Sequence, residues 1–168
     1  MSWFVIIEKR LISKQDLKLN LQKKILKKNA MAIKFDDIEH AFLYVNAAPM
    51  TANTAILCKE TGEIFYASDY DDENEIPEDI YFREDCIQIP HRNDLDLGRN
   101  LVFKFVAQYL PGDFDRIRDI FRRKGAYRRY KDFLEERGFL KRWYDFESTR
   151  QTETLRKWCA DNEIILIG

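Results

Sequence analysis

Short β-prone runs in the first half of the chain give way to helical apolar spacing in the second. Thr54-Ala55-Ile56-Leu57-Cys58 and Ile64-Phe65-Tyr66-Ala67-Ser68 are two such runs, and the five residues between them contain Gly62. That spacing predicts a hairpin. Residues 69–79, acidic and interrupted by Pro77, read as a loop. Alternation over 80–90 then ends in a predicted strand, Cys86-Ile87-Gln88-Ile89, before Pro90. Upstream, Ile38, Ala41, Phe42 and Val45 mark the stripe of a helix with Asp36 as its cap, ending near Asn46.

From Leu97 onward the period is helical. Leu97, Leu101, Val102, Phe105, Val106 and Tyr109 form one wide apolar face, terminated by Pro111-Gly112. Asp113 is placed to cap a helix holding Phe114, Ile117, Ile120 and Phe121, with Gly125 just past its end. Ala126, Tyr130, Phe133 and Leu134 mark the next helix, stopped at Gly138. Trp143 and Phe146 are read as a short aromatic turn, followed by a last helix with Leu155, Trp158 and Cys159. Ile164-Ile165-Leu166-Ile167 reads as a closing strand. The predicted class is α+β: a small, mostly antiparallel sheet, built from a β-hairpin plus further strands and covered by helices from the C-terminal half.

Residues 1–30 stand apart as a basic N-terminal extension. Leu17, Leu21 and Ile25 recur every four residues after Ser13, and Lys23, Lys24, Lys27 and Lys28 crowd the end of that stripe. The segment reads as a surface helix on a single α+β domain of residues 31–168, or as the product of a start upstream of Met31. The apolar run Trp3–Ile7 is too short to span a bilayer.

Composition sharpens this picture. With 168 residues, 45% hydrophobic and 14% aromatic, the chain has material for one packed core. A net charge of −1 conceals three blocks. Residues 1–30 hold eight cations against two acids, a net +6. Residues 69–96 hold eleven acids against Arg83 and Arg92, a net −9. Residues 116–131 hold eight cations against Asp119, a net +7. The three cysteines, Cys58, Cys86 and Cys159, are far apart and show no CxxC spacing. They read as free thiols, which with the short apolar run predicts a cytoplasmic protein without a membrane span. No cofactor or metal signature is read, and no GxGxxG, P-loop or GxSxG pattern occurs.

Several short motifs share a family likeness. Ile89-Pro90-His91, Asp94-Leu95-Asp96-Leu97-Gly98-Arg99, Phe121–Tyr127, Trp143-Tyr144 with Phe146-Glu147, and Trp158-Cys159 together resemble a bacterial family known as uncharacterised protein family 0158. The resemblance covers about residues 33–165. It implies domain limits and brings no reaction, cofactor or substrate with it.

Two groups of residues carry candidate chemistry. The first is the basic-aromatic turn Phe121–Tyr130, in which Arg122, Lys124, Tyr127, Arg128 and Arg129 are not claimed by an apolar stripe. Arginine holds phosphates bidentately and aromatic rings stack bases, so this group suits a nucleic acid or another phosphate-bearing ligand. Its other reading is a solvated face paired internally, Asp119 with Arg123, Arg128 with Asp132 and Lys131 with Glu135, or docked against the acidic loop. The second group is His91, Asp94, Asp96 and Arg99 at the exit of a strand, where a histidine beside carboxylates suits a general base or half a metal site. Its plainer reading makes Asp94 or Asp96 a helix cap. The leading function is a non-enzymatic binding module acting through the basic-aromatic group. Behind it stand a protein-interaction module using both charged patches, and an enzyme centred on His91, Asp94 and Asp96. Oligomeric state is left open.

Overall fold

The computed structural model describes residues 31–47, 52–70 and 76–167. The basic extension at 1–30 lies outside them. A short strand that the pattern does not announce, β1 (Ile33–Lys34), runs directly into α1 (Phe35–Ala47). It pairs in parallel with β5 (Leu166–Ile167), Ile33 standing opposite Leu166. The closing strand thus meets the first described residues rather than the hairpin. Asp36 sits inside the first turn of α1, where its charge favours the dipole.

The predicted hairpin forms as β2 (Asn53–Cys58) and β3 (Ile64–Ser68), with Ala55 opposite Tyr66 and Leu57 opposite Ile64. Gly62 takes φ +75 in the link, which glycine adopts without a Cβ clash. A third strand, β4 (Cys86–Gln88), joins the other edge of β2, giving an antiparallel sheet in the order β3-β2-β4. Strand periodicity then divides β2 between two cores. Ala55 and Leu57 enter the large core with Ile38, Phe42, Phe105 and Leu155. Ile56 and Cys58 face the other way, into a small cluster with Ile76 and Ile80. Ile80 comes from a 3-10 turn, Glu78–Phe82, within the stretch read as alternating. The end of the acidic stretch therefore covers the back of the sheet.

Four helices build the second half: α2 (Arg99–Tyr109), α3 (Phe114–Ile120), α4 (Ala126–Glu136) and α5 (Leu140–Asp161). Gly138, at φ +71, follows the end of α4 as predicted. Gly125, also at φ +71, is not the residue just past α3, which ends at Ile120 with Phe121 as its cap; it stands instead at the start of α4. Asp113 makes no capping hydrogen bond; its carboxylate instead meets Arg137 at 2.8 Å. The larger correction concerns α5, one helix of 22 residues where the sequence reads as a turn and a separate helix. Its polar middle is held by Lys141–Asp145, Arg150–Glu153 and Lys157–Asp161 pairs at helical spacing. The fold is α+β, with the helices stacked on one face of the small sheet.

Candidate functional site

The cationic turn is built by the junction of α3 and α4. Because α3 ends at Ile120, the residues after it leave the helical path, and the expected Asp119–Arg123 pair does not form. Asp119 instead takes Arg122 at 2.9 Å, with both side chains solvated. Arg129 donates to the Lys124 carbonyl and closes the turn from the α4 side. The expected Arg128–Asp132 and Lys131–Glu135 pairs are also not made; the Lys131 ammonium lies over the Tyr144 ring at 5.2 Å. Arg118 pairs with Asp115, and Arg116 lies over Phe133. Arg123, Lys124 and Arg128 stay exposed, with no ion pair among the described residues. No ion pair among those residues joins this face to the acidic stretch, which covers the opposite side of the sheet.

Tyr127 is the aromatic of this face. The residue is 42% exposed, and its ring meets Phe121 in a T-shaped contact at 5.1 Å. Burial of the remainder raises its hydroxyl pKa, while the Arg92 and Arg99 charges act in the opposite sense. Those two arginines belong to the segment after β4, so the two candidate groups meet at Tyr127. Gly98 leaves room for Asn93, since a Cβ there would stand 2.2 Å from Asn93 Oδ1, and it lies in ordinary contact range of the Tyr127 hydroxyl, 3.9 Å from the same Cβ position. Arg99 lies over Phe103 at 5.2 Å and near the Phe121 ring at 5.9 Å. The resulting surface carries Arg99, Tyr127, Arg123, Lys124 and Arg128.

His91, Asp94 and Asp96 are used locally. Asp94 Oδ2 accepts the His91 backbone N–H at 3.0 Å, and His91 Nδ1 accepts the Asn93 N–H at 3.2 Å. Asp96, at φ +56, accepts from Asn100. Neither aspartate caps α2, which begins after Gly98. His91 and Asp94 line a cleft of about 480 Å³ with Asn53, Thr54 and Gln88, and Asp96 lines a different one. The four residues do not converge on one point.

Three polar groups behind the basic face escape pattern reading. The Tyr130 hydroxyl and Trp143 Nε1 are buried without a hydrogen-bond partner. Glu147, one turn after Trp143 on α5, is half-buried. Burial raises its carboxyl pKa, opposed by Lys131, by Arg92 and by the Trp143 N–H, which is close but not aligned for a hydrogen bond. A carboxyl raised in the folded state contributes stability that is complete below its unfolded pKa and is lost as pH rises through the folded value. Glu147→Gln is therefore expected to remove part of the decline in melting temperature above the ordinary carboxylate range. Melting curves from pH 4 to 8 check this, and parallel profiles for the two proteins would count against a desolvated Glu147.

The cysteine reading needs correction. Cys58 and Cys86 form a disulfide, since β2–β4 register sets them directly opposite each other. Their separation of 28 residues gave no sign of this. Only Cys159 is a free thiol, buried and with its pKa pushed up to about 11. The argument from three free thiols to a reducing compartment therefore lapses. The sulfurs of Cys58 and Cys86 and a carboxylate oxygen of Asp85 lie within 4.8 Å of one another, but sulfurs bonded to each other offer no thiolate to a metal ion. No helix among the described residues is long and apolar enough to cross a membrane. Comparison with protein-family models, curated proteins and solved structures finds no match.

Proposed function

We propose that the protein is a non-enzymatic module that binds single-stranded nucleic acid through the surface around Tyr127. One observation carries this reading: Arg123, Lys124 and Arg128 crowd an exposed turn with no acidic partner among the described residues, beside a partly exposed ring. Unpaired cations supply phosphate contacts, and a tyrosine flanked by them offers a stacking platform indifferent to sequence. Arg99, exposed and close enough for its charge to act on Tyr127, extends the cationic surface. Arg122 and Arg129 serve the surface less directly, because one is paired to Asp119 and the other holds the Lys124 carbonyl. The resemblance to uncharacterised protein family 0158 belongs to the same proposal, since Arg99, Tyr127 and Glu147 come from its motifs. We assign the protein to the cytoplasm with the ligand this reading requires.

Fluorescence anisotropy with a short labelled RNA at several salt concentrations tests it. Three phosphate contacts give a slope of log affinity against log salt of about −2 for a single strand. Changing Arg123, Lys124 and Arg128 together to Gln is expected to flatten that slope and weaken binding to all sequences alike. Tyr127→Ala is expected to cost about 1–3 kcal/mol through lost stacking. Equal binding by wild type and the triple variant, or no binding at low salt, would transfer the role to a protein partner. The observation favouring that second reading is the acidic segment's display of Tyr70, Tyr81 and Phe82 at 75%, 55% and 85% exposure.

A further inference from the structure

The sheet carries a second piece of chemistry, remote from the basic face. Cys58 and Cys86 occupy a cross-strand position whose hydrogen bonds do not depend on the sulfurs. Next to them the Lys59 N–H donates to the Asp85 carbonyl at 2.9 Å, and three positions further along the same ladder the Ile89 N–H donates to the Ala55 carbonyl at 2.8 Å, which sets the alternation. These fix 58/86 as a non-hydrogen-bonded pair, the site where facing side chains stand closest in an antiparallel ladder. Their Cα atoms are 4.0 Å apart. The ladder holds the two sulfurs together whether or not they are joined, so the bond can open and close without a change of register.

The two sulfurs differ in access. Cys58 is fully buried in the small cluster with Ile56, Ile76 and Ile80, whereas Cys86 is only partly buried. Beside them Asp85 holds Arg83 through two hydrogen bonds, at 3.0 and 2.8 Å. A guanidinium on both carboxylate oxygens leaves Asp85 unsuited to a metal ion, because a cation would have to displace it. Glu60 and Asp79 also act on Arg83, so the local charge is negative and favours a neutral or cationic visitor.

We infer that Cys58 and Cys86 form a reversible thiol–disulfide exchange site, entered at Cys86 by small neutral or cationic thiols. An incoming thiolate attacks Cys86 Sγ and forms a mixed disulfide. The Cys58–Cys86 bond breaks, and Cys58 leaves as a thiolate that takes a proton from water. A second thiolate attacks the visitor's sulfur, releasing the visitor as its own disulfide and Cys86 as a thiolate, which is protonated in turn. The chain gains two electrons and two protons, and two thiols become one disulfide. Opening the bond also removes the covalent tie at the floor of the cluster holding residues 76–85 to the sheet.

The probe is cysteamine with its disulfide cystamine, applied to the native full chain and followed by alkylation and mass measurement. Millimolar cysteamine is expected to expose two alkylatable thiols per chain, and cystamine to close them again, with an unchanged far-ultraviolet circular dichroism spectrum. Cys159 should stay unlabelled throughout, as a buried thiol whose thiolate is disfavoured. On reduction, amide exchange within residues 76–85 is expected to quicken at least tenfold, with α4 and α5 unaffected. In Cys58→Ser, cystamine should leave one adduct on Cys86. In Cys86→Ser, the adduct on Cys58 should form at least tenfold more slowly. If either variant fails to fold, peptide mapping of the mixed disulfide trapped in wild type gives the same assignment. Reduction only after denaturation, loss of the spectrum on reduction, unchanged exchange at 76–85, or a stoichiometric metal ion in the reduced protein would each overturn the inference.

Discussion

Trp143→Ala is expected to destabilise the protein by about 3–5 kcal/mol, the range for removing a large aromatic from a packed core. Trp143 is 1% exposed and meets Phe105 at 5.3 Å and Tyr130 at 5.2 Å in T-shaped contacts. It joins α2, α4 and α5, so its loss empties the space where three helices meet. Its indole N–H has no aligned partner, so little hydrogen-bond energy disappears with the ring. Volume and aromatic contact dominate the cost. Trp143→Phe, which keeps a ring and drops the N–H, should therefore recover much of the loss. Because Tyr130 anchors α4 against Trp143, the alanine variant should also weaken nucleic-acid binding without touching a cation. Urea denaturation of the three proteins decides the matter. A cost below about 1 kcal/mol for the alanine variant would mean that the helices close over the gap.

The large core was legible because its signal is local. Ile38, Phe42, Leu101, Phe105, Tyr130 and Leu134 all sit on stripes of helical spacing, and all are buried. Gly62, Gly125 and Gly138 were legible as punctuation because each occupies the left-handed region. What escaped depends on partners distant in sequence. β1 is two residues long and exists through its pairing with β5. The disulfide follows from β2–β4 register, which no spacing of two cysteines encodes. The basic-aromatic turn was visible as composition, but its internal pairing was not. For Asp119 and Arg123 the i,i+4 rule assumes a continuous helix, and α3 ends before Arg123; within α4, Lys131 turns to the Tyr144 ring instead of Glu135. The effect of Arg99 on Tyr127 joins the start of α2 to α4, residues far apart in sequence, and no local spacing encodes it.

The reading of residues 143–159 as a turn and a helix, against the single helix observed, leads to the second large effect. Thr149→Pro is expected to destabilise the protein by about 3 kcal/mol or more, although Thr149 is exposed and lies among polar neighbours. In a loop at that position proline would be tolerated. In the middle of α5 it removes a backbone donor, and its ring collides with the carbonyl one turn earlier, that of Asp145. The same carbonyl already accepts the Thr149 hydroxyl at 2.8 Å, so both bonds to it disappear together. The damage should spread in both directions. Trp143 lies six residues before Thr149, and Leu155 and Cys159 lie six and ten residues after it, all buried in the large core. A kink at 149 cannot keep both groups seated. Thr149→Ala isolates the hydroxyl and should cost under about 1 kcal/mol, since alanine favours the helix and the side chain is solvated. Thermal melts with circular dichroism at 222 nm separate the two cases. A proline variant that melts with the alanine variant would show that the chain breaks near 149 and that the long helix is two.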